Sequence, residues 1–455
     1  MKTELKAGAL SLFESVVMGV AGSAPGYTIA VTTAVLLGVA KALSPGALLI
    51  FAVPMLGIAV AYKALNRRHV SAGAAYQWTS IYFGRFWGFF SGWALLVASM
   101  VFMVTGSLPL ATATLDFVDP ALADNVVLSA GVASVWFLAV ATVLIVGIKV
   151  TSGVQVVMTS IELVILTIVL AAAFVHAGHT GAVNAFSWSW FGFGYSAKTF
   201  AASALVVVFF YWGWDVTANL GEETHNGSEN AGNGGFASVF ITIAYYIAFV
   251  FAALFLFQLN EARGFNANII YNIAVAAGLG RTGGLFASIA VILSSIATLE
   301  TTMLQFSRTL FAMGRDGAMP ALFGIVDART QTPVRAMLVL VGVGLLLVWG
   351  SSLMPTVHQI ILDSVNAVGV LVSYYYGLAG LAAGWAFRRV LHESFARWLG
   401  LAVFPTLSGL LLIVLGIYAM TTFDLITNAV GIGGLIGGIV FFRPRGRASL
   451  PALAG

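Results

Sequence analysis

The sequence predicts an all-α polytopic membrane protein with about twelve transmembrane helices. Of its 455 residues, 60% are hydrophobic and only 8% are charged, whereas a soluble domain carries roughly 25% charged residues. Such a chain cannot clothe itself in water, so a multidomain soluble enzyme is excluded. Apolar stretches of about 20 residues, long enough to cross a hydrocarbon core of about 30 Å, recur from end to end. None alternates with the period of two that a membrane β-barrel would require.

The stretches fall at residues 7–38, 47–65, 86–106, 125–147, 151–175, 199–220, 236–259, 284–313, 336–352, 360–386, 399–420 and 425–442, and are numbered spans 1 to 12. Lys2 and Lys6 precede the first of them, as in a signal peptide. That stretch runs on past Gly38 without an early small-residue cleavage site, so it reads as a retained span. If the N-terminus is cytoplasmic, seventeen of the 21 Lys and Arg fall on the cytoplasmic side. Only Lys41, Lys198, Arg263 and Arg281 fall on the other. This asymmetry predicts an even number of spans in the cytoplasmic (inner) membrane with both termini in the cytoplasm. The lipid bilayer, not nucleic acid, is therefore the partner implied by the net charge of +4. No cysteine is present, which removes disulfides, thiolate metal sites and a cysteine nucleophile.

Two spans carry glycine clusters beside proline or polar residues. Span 1 contains Gly19-Val20-Ala21-Gly22-Ser23-Ala24-Pro25-Gly26, and span 6 contains Phe209-Phe210-Tyr211-Trp212-Gly213-Trp214-Asp215. Proline removes an amide donor, and glycine admits non-helical dihedrals. Unwound backbone inside a membrane is tolerated only where it lines a cavity or is buried in protein. The bland alternative is that these glycines merely let helices pack closely, the reading given to Gly88, Gly92 and the glycines of 431–438. Spans 1 and 6, however, hold the same place in two halves of five spans, and paired interruptions of this kind point to a transporter's central site.

Three stretches resemble the amino acid–polyamine–organocation superfamily of transporters. Gly22-Ser23-Ala24-Pro25-Gly26 is similar to that family's span-1 break. Ser71-Ala72-Gly73-Ala74-Ala75-Tyr76, with Gly84, Gly88-Phe89 and Gly92-Trp93, resembles its entry into span 3. The run from Arg308 to Pro320, completed by Thr332-Pro333, resembles its span 8–9 loop. The resemblance implies a LeuT-type fold of five-plus-five inverted repeats with discontinuous spans 1 and 6. The ten-span core would occupy residues 1–395, with repeats at about 7–177 and 198–390, and residues 396–455 would be peripheral. It also implies alternating-access transport of amino acids or related amines and polyamines, with no organic cofactor and with H⁺, or else Na⁺, as coupling ion. Two departures stand out. Thr224-His225-Asn226-Gly227 replaces a common Lys-Asn-Pro turn. Glu162 stands where several members carry a lysine that substitutes for sodium, so that lysine mechanism does not carry over.

The break in span 1 offers a half-helix N-terminus near Gly26, whose amides and dipole suit a carboxylate. Ser23 and the amides of Gly22, Ala24 and Gly26 are expected there. Carbonyls freed around Val20, Ala21, Phe210 and Tyr211 would accept from an ammonium group. Asp215 has three competing roles: counter-ion to a cationic substrate, proton carrier, or N-cap of the half-helix that follows. Tyr211, Trp212 and Trp214 suit cation–π contact, and Phe209 matches the family's aromatic gate. Glu162 and Glu300 are further acids within spans. Ser294 and Ser295 resemble hydroxyl ligands of the family's sodium site, which implies that with Glu162 they would hold Na⁺, or that a protonated Glu162 would bond a serine; serines that simply bond their own helix are the plainer alternative. His176 and His179 lack acidic neighbours in sequence, so no metal site is expected. An intramembrane enzyme would need a nucleophile–base constellation that is absent. A channel is disfavoured by a site between two broken helices. Sodium symport and substrate exchange remain alternatives to proton coupling.

Overall fold

The computed structural model describes residues 4–443 apart from 124, 193, 263, 266–268 and 355. Lys2, Arg263, Arg445 and Arg447 of the basic asymmetry therefore lie outside the described residues. The described chain is helical throughout, and all twelve expected spans are present. Span 1 is two helices, Leu12–Ser23 and Pro25–Ala40, and span 2 is Ser44–Arg68. Spans 3, 4 and 5 are Arg85–Asp116, Val126–Val146 and Ile148–Thr180. Span 6 is Ala197–Phe210 and, after an unwound stretch, Val216–Asn219. Spans 7 to 10 are Gly227–Leu256, Gly280–Arg315, Val334–Ser351 and Val357–Phe387. Span 11 is Phe404–Met420, and span 12 lies within Leu425–Val440.

Local chemistry sets several of these ends. Ser11 and Glu14 form a reciprocal capping box at the start of span 1. Asn125 caps span 4 and Thr356 caps span 10 through side-chain oxygens. Two helices outside the spans were not anticipated: Ala75–Phe83 before span 3, and Ile269–Ala274 before span 8. Both are too short for a pattern that seeks apolar runs of membrane length.

The five-plus-five organisation is visible in which spans touch. Contacts come in twins when each span is exchanged for the one five places on. Span 1 packs on span 7 as span 6 packs on span 2, and span 1 on span 5 as span 6 on span 10. Span 5 packs on span 8 as span 10 packs on span 3. Span 3 forms the centre, with 94% of its apolar window buried, whereas span 9 buries 28% and presents the rest outward. Outward-facing Val157, Val164, Ile168, Leu346 and Val414 give the bundle its lipid-compatible surface.

The two breaks meet backbone to backbone. A Cβ built on Gly22 would lie 2.2 Å from the carbonyl oxygen of Gly213, and one built on Gly213 would lie 2.2 Å from that of Gly22. Gly213 also has φ 103°, a conformation that side chains resist. This apposition predicts that Gly22→Ala destabilises by about 1–3 kcal/mol or more, as overpacking does. Gly131→Ala, inside a helix where a Cβ meets nothing within 4 Å, should not destabilise and should gain up to about 1 kcal/mol from helix propensity. Thermal unfolding of the two purified variants checks the contrast.

Candidate functional site

Span 1 breaks at one residue. Ala24 adopts φ 44° and ψ 72°, a left-handed conformation, and the second half-helix begins at Pro25. The amide of Ala24 still donates to the carbonyl of Val20 at 2.8 Å. Val20 is thus not freed, contrary to the sequence reading, because the first half-helix stays wound through its last turn. The Gly22 carbonyl accepts from Thr298 Oγ1 at 3.1 Å. The Ser23 carbonyl accepts from Tyr246 Oη at 2.7 Å and from Thr28 Oγ1 at 2.8 Å. Spans 7 and 8 thereby satisfy what the break exposes.

The Gly26 amide is also taken. It donates to Glu162 Oε1 at 2.8 Å, and Ser294 Oγ donates to the same oxygen at 2.8 Å. The expectation that Gly26 would face a substrate carboxylate is corrected: the protein's own span 5 supplies the carboxylate for this helix N-terminus. Glu162 and Ser294 are brought together as the sequence suggested, although they lie 132 positions apart. Ser295 is not part of the cluster, since its hydroxyl bonds back to the Val291 carbonyl at 2.8 Å.

Span 6 unwinds over residues 211–215, and Asp215 sits fully buried at the end of that stretch. Its side chain makes no N-cap bond, so the capping role is set aside. The carboxylate instead accepts three hydrogen bonds from two other spans. Gln305 Nε2 on span 8 donates to Oδ2 at 2.7 Å. Tyr375 Oη on span 10 donates to Oδ2 at 3.1 Å, and Tyr376 Oη to Oδ1 at 2.9 Å. An ionised carboxylate offers about four acceptor positions, and the buried Tyr62 hydroxyl, which has no other partner, faces the same carboxylate.

Aromatic rings surround this carboxylate. Tyr62, Trp214 and Tyr376 pack against one another at centroid distances of 5.2, 5.7 and 5.8 Å. Trp212 donates through Nε1 to Tyr375 Oη at 2.6 Å. Phe209, expected as a gate, packs with Trp212 and with Phe102 of span 3. Tyr211 donates to the Leu48 carbonyl at 3.1 Å, and Phe210 packs on Tyr246. All of Val20, Ala21, Gly22, Ser23, Ala24, Gly26 and Phe209 through Asp215 are buried. Among the described residues, the Ser23 hydroxyl and the Trp214 indole N–H are buried without a hydrogen-bond partner, an arrangement natural proteins rarely leave unexplained. Sequence reasoning missed Gln305, Tyr375 and Tyr376. A run of three tyrosines, Tyr374-Tyr375-Tyr376, inside an otherwise apolar span was the available signal.

One end of the site is closed by ion pairs. Arg308 of span 8 and Glu223, just after span 6, form a fully buried bidentate pair at 2.9 Å on both arms. Arg315 pairs with Glu222 at 2.7 and 2.9 Å rather than with adjacent Asp316, which lies 4.0 Å away. The Leu10 amide donates to the Glu223 carbonyl at 3.0 Å, lashing the N-terminal arm to the same end. Glu14 is held by Lys149 at 2.6 Å and by Ser152 at 3.1 Å. No group of three or more acidic or histidine side chains placed to hold a metal occurs among the described residues.

The chain as a whole has counterparts among known proteins. The family model described as amino acid permease matches residues 10–441. The chain belongs to the amino acid permease family. This permease is 26% identical over 350 residues to the vacuolar cationic amino acid transporter 4 of Arabidopsis thaliana, covering 72% of this chain and 56% of that one. It is thus matched to little more than half the length of that relative. It is 24% identical over 359 residues to the low-affinity putrescine importer PlaP of Escherichia coli (strain K12), covering 74% of each. Its fold matches a crystallised variant of an Eremococcus coleocola manganese transporter with TM-score 0.63 and 13% identity, over 94% of this chain and 93% of that one.

The buried pair yields a prediction. Removing one partner of such a pair leaves a buried charge uncompensated and costs about 3–5 kcal/mol. Arg308→Met and Glu223→Met should each destabilise by that order, and the double variant by clearly less than their sum. A double-mutant cycle on unfolding free energies measures the coupling.

Proposed function

We propose that the permease is a secondary active transporter that carries an amino acid or related amine by alternating access. The reading places it in a cytoplasmic membrane with both termini in the cytoplasm. In this reading it is a carrier, not an enzyme, and protons rather than sodium drive it. The observation that carries it is Asp215: a fully buried carboxylate at an unwound break, bonded by neutral donors and held among aromatic rings. An acid inside a membrane bundle is expensive and is retained where it does ionic work. An ammonium group placed there gains both the carboxylate and the faces of Trp214, Tyr376 and Tyr62.

Two details favour recognition through the ammonium end of the substrate. The Ala24 and Gly26 amides, expected to meet a substrate carboxylate, already bond Val20 and Glu162. The likeness to a putrescine importer and to a cationic amino acid transporter supports an amine-bearing solute. Glu162 is the second coupling candidate. It ties the second half of span 1 to span 8 through the Gly26 amide and Ser294, so gaining or losing a proton there bears directly on that half-helix. Ser23 and the carbonyls of Ala21, Phe210 and Tyr211 complete the substrate surface in this reading, with Phe209 closing over it.

Proteoliposomes test this directly. A thermal-shift screen of amino acids and polyamines first identifies the substrate, since a ligand at 100 times its dissociation constant stabilises by about 2.7 kcal/mol. Asp215→Asn should then lower uptake of that substrate by about thirtyfold or more, the factor for removing one member of a buried charge pair. Normal uptake by this variant overturns the role of Asp215. Replacing Na⁺ by K⁺ at fixed pH and clamped potential should leave uptake unchanged; its loss puts sodium coupling in place of proton coupling. Glu162→Gln should keep substrate binding while abolishing acceleration by an inward proton gradient.

A further inference from the structure

Glu300, in the middle of span 8, takes no part in the site just described. Its carboxyl is 2% exposed, and among the described residues neither oxygen has a hydrogen-bond partner. The side chain lines a crevice of about 120 Å³ between spans 4, 5 and 8. Around it lie Trp136, Val143, Val154, Met158 and Ile296, all apolar toward the crevice. The one polar atom these contribute, the Trp136 indole N–H, is spent on Thr114 Oγ1 at 3.0 Å. Ala139 and Val154 at the rim are exposed on the outer surface of the bundle, which places the mouth toward lipid.

An ionised carboxylate with no partner in apolar surroundings is not sustainable. Glu300 therefore needs either its proton or a cation. The crevice is built for the second: a volume of about 120 Å³, apolar walls, and one acid at its base. We propose that this crevice is a second binding site, separate from the one between the helix breaks, for a short-chain aliphatic amine arriving from the bilayer. The amine enters uncharged. The Glu300 carboxyl O–H bond breaks, its proton bonds to the amine nitrogen lone pair, and the carboxylate and ammonium so formed remain paired. An amino acid does not fit, because its own carboxylate would face Glu300 without a counter-charge.

The experiment is ¹⁹F NMR of 4,4,4-trifluorobutylamine titrated into the purified full-length protein in lipid nanodiscs. The expected result is saturable binding that persists in Asp215→Asn, where the central site has lost its carboxylate, and the variants that follow are made in that background. Glu300→Gln, which keeps the shape and removes the acid, should weaken it by about tenfold or more, as expected for a hydrogen bond to a charged group. Val143→Phe, which fills the crevice and keeps Glu300, should weaken it similarly and serves if Glu300→Gln does not fold. 4,4,4-Trifluorobutanol should show no saturable binding. Unchanged affinity in Glu300→Gln or Val143→Phe, no saturable binding to the wild type, or loss in Asp215→Asn alone overturns the second site. Loss in Asp215→Asn alone would assign the amine to the central site instead, so the two readings fail separately.

Discussion

Everything in this bundle is arranged around one constraint: two helices unwind inside a membrane, where no water is at hand to bond their backbone groups. The breaks are stacked on each other at Gly22 and Gly213, so close that neither position accepts a Cβ. Once they are stacked, each exposed polar group must be met from a neighbouring span. Thr298 meets Gly22, Tyr246 meets Ser23, Glu162 meets Gly26, and a tyrosine within the break, Tyr211, reaches back to Leu48. Much of the polar content of spans 5, 7 and 8 follows from that geometry. These side chains are conspicuous in apolar helices because they finish hydrogen bonds that spans 1 and 6 cannot make for themselves.

Four of the buried acids are treated in four different ways, and the differences sort them by role. Glu223 is neutralised by Arg308 in a bidentate pair and serves to hold one end of the bundle together. Asp215 has three neutral donors and no cation, which stabilises a charge without cancelling it. Glu162 has two donors on one oxygen and none on the other. Glu300 has none on either. Only the first is electrically complete within the protein. On the proposed reading, the remaining three are sites where a mobile positive charge, as a proton or an ammonium, finishes the arrangement.

Much of this was legible in the sequence for physical reasons. Membrane thickness sets a span length, so apolar runs of that length located the helices. Proline and glycine cannot hide their effect on backbone, so both breaks were placed to within a residue or two, and an acid inside an apolar run announces itself. The Glu162–Ser294 meeting was anticipated only through the resemblance, which places these positions of spans 5 and 8 together beside the first break. What escaped were partners set by three-dimensional register. Tyr375 and Tyr376 lie 160 and 161 positions from Asp215, and no local period distinguishes a tyrosine that donates to an acid from one that fills a core. Ser294 and Ser295 look alike in sequence, yet one residue of register, about 100° of helix rotation, sends the first to Glu162 and the second to its own backbone. Arg315 preferred Glu222 over the adjacent Asp316 because the folded chain offers a bidentate fit that neighbours along a helix end do not.

The ties of the two broken helices also constrain how such a protein can move. The second half of span 1 is held to span 5 by the Gly26–Glu162 bond, and the break of span 6 is held to spans 8 and 10 by Asp215. In both cases a carboxylate joins a broken helix to a continuous one. A carboxylate is the one acceptor in these networks whose strength changes with a single proton or a single bound ammonium. A serine or carbonyl in its place would hold the helices equally well in one state and offer no means of release. On the proposed reading, the same atoms that satisfy the broken backbone therefore set when it is free to rearrange, and substrate binding and proton binding act on one mechanical element. The ion pairs Arg308–Glu223 and Arg315–Glu222 are of the opposite kind. Their partners are both within the protein, so no ligand completes them, and they lend one closed end a stability that the central carboxylates do not have on their own.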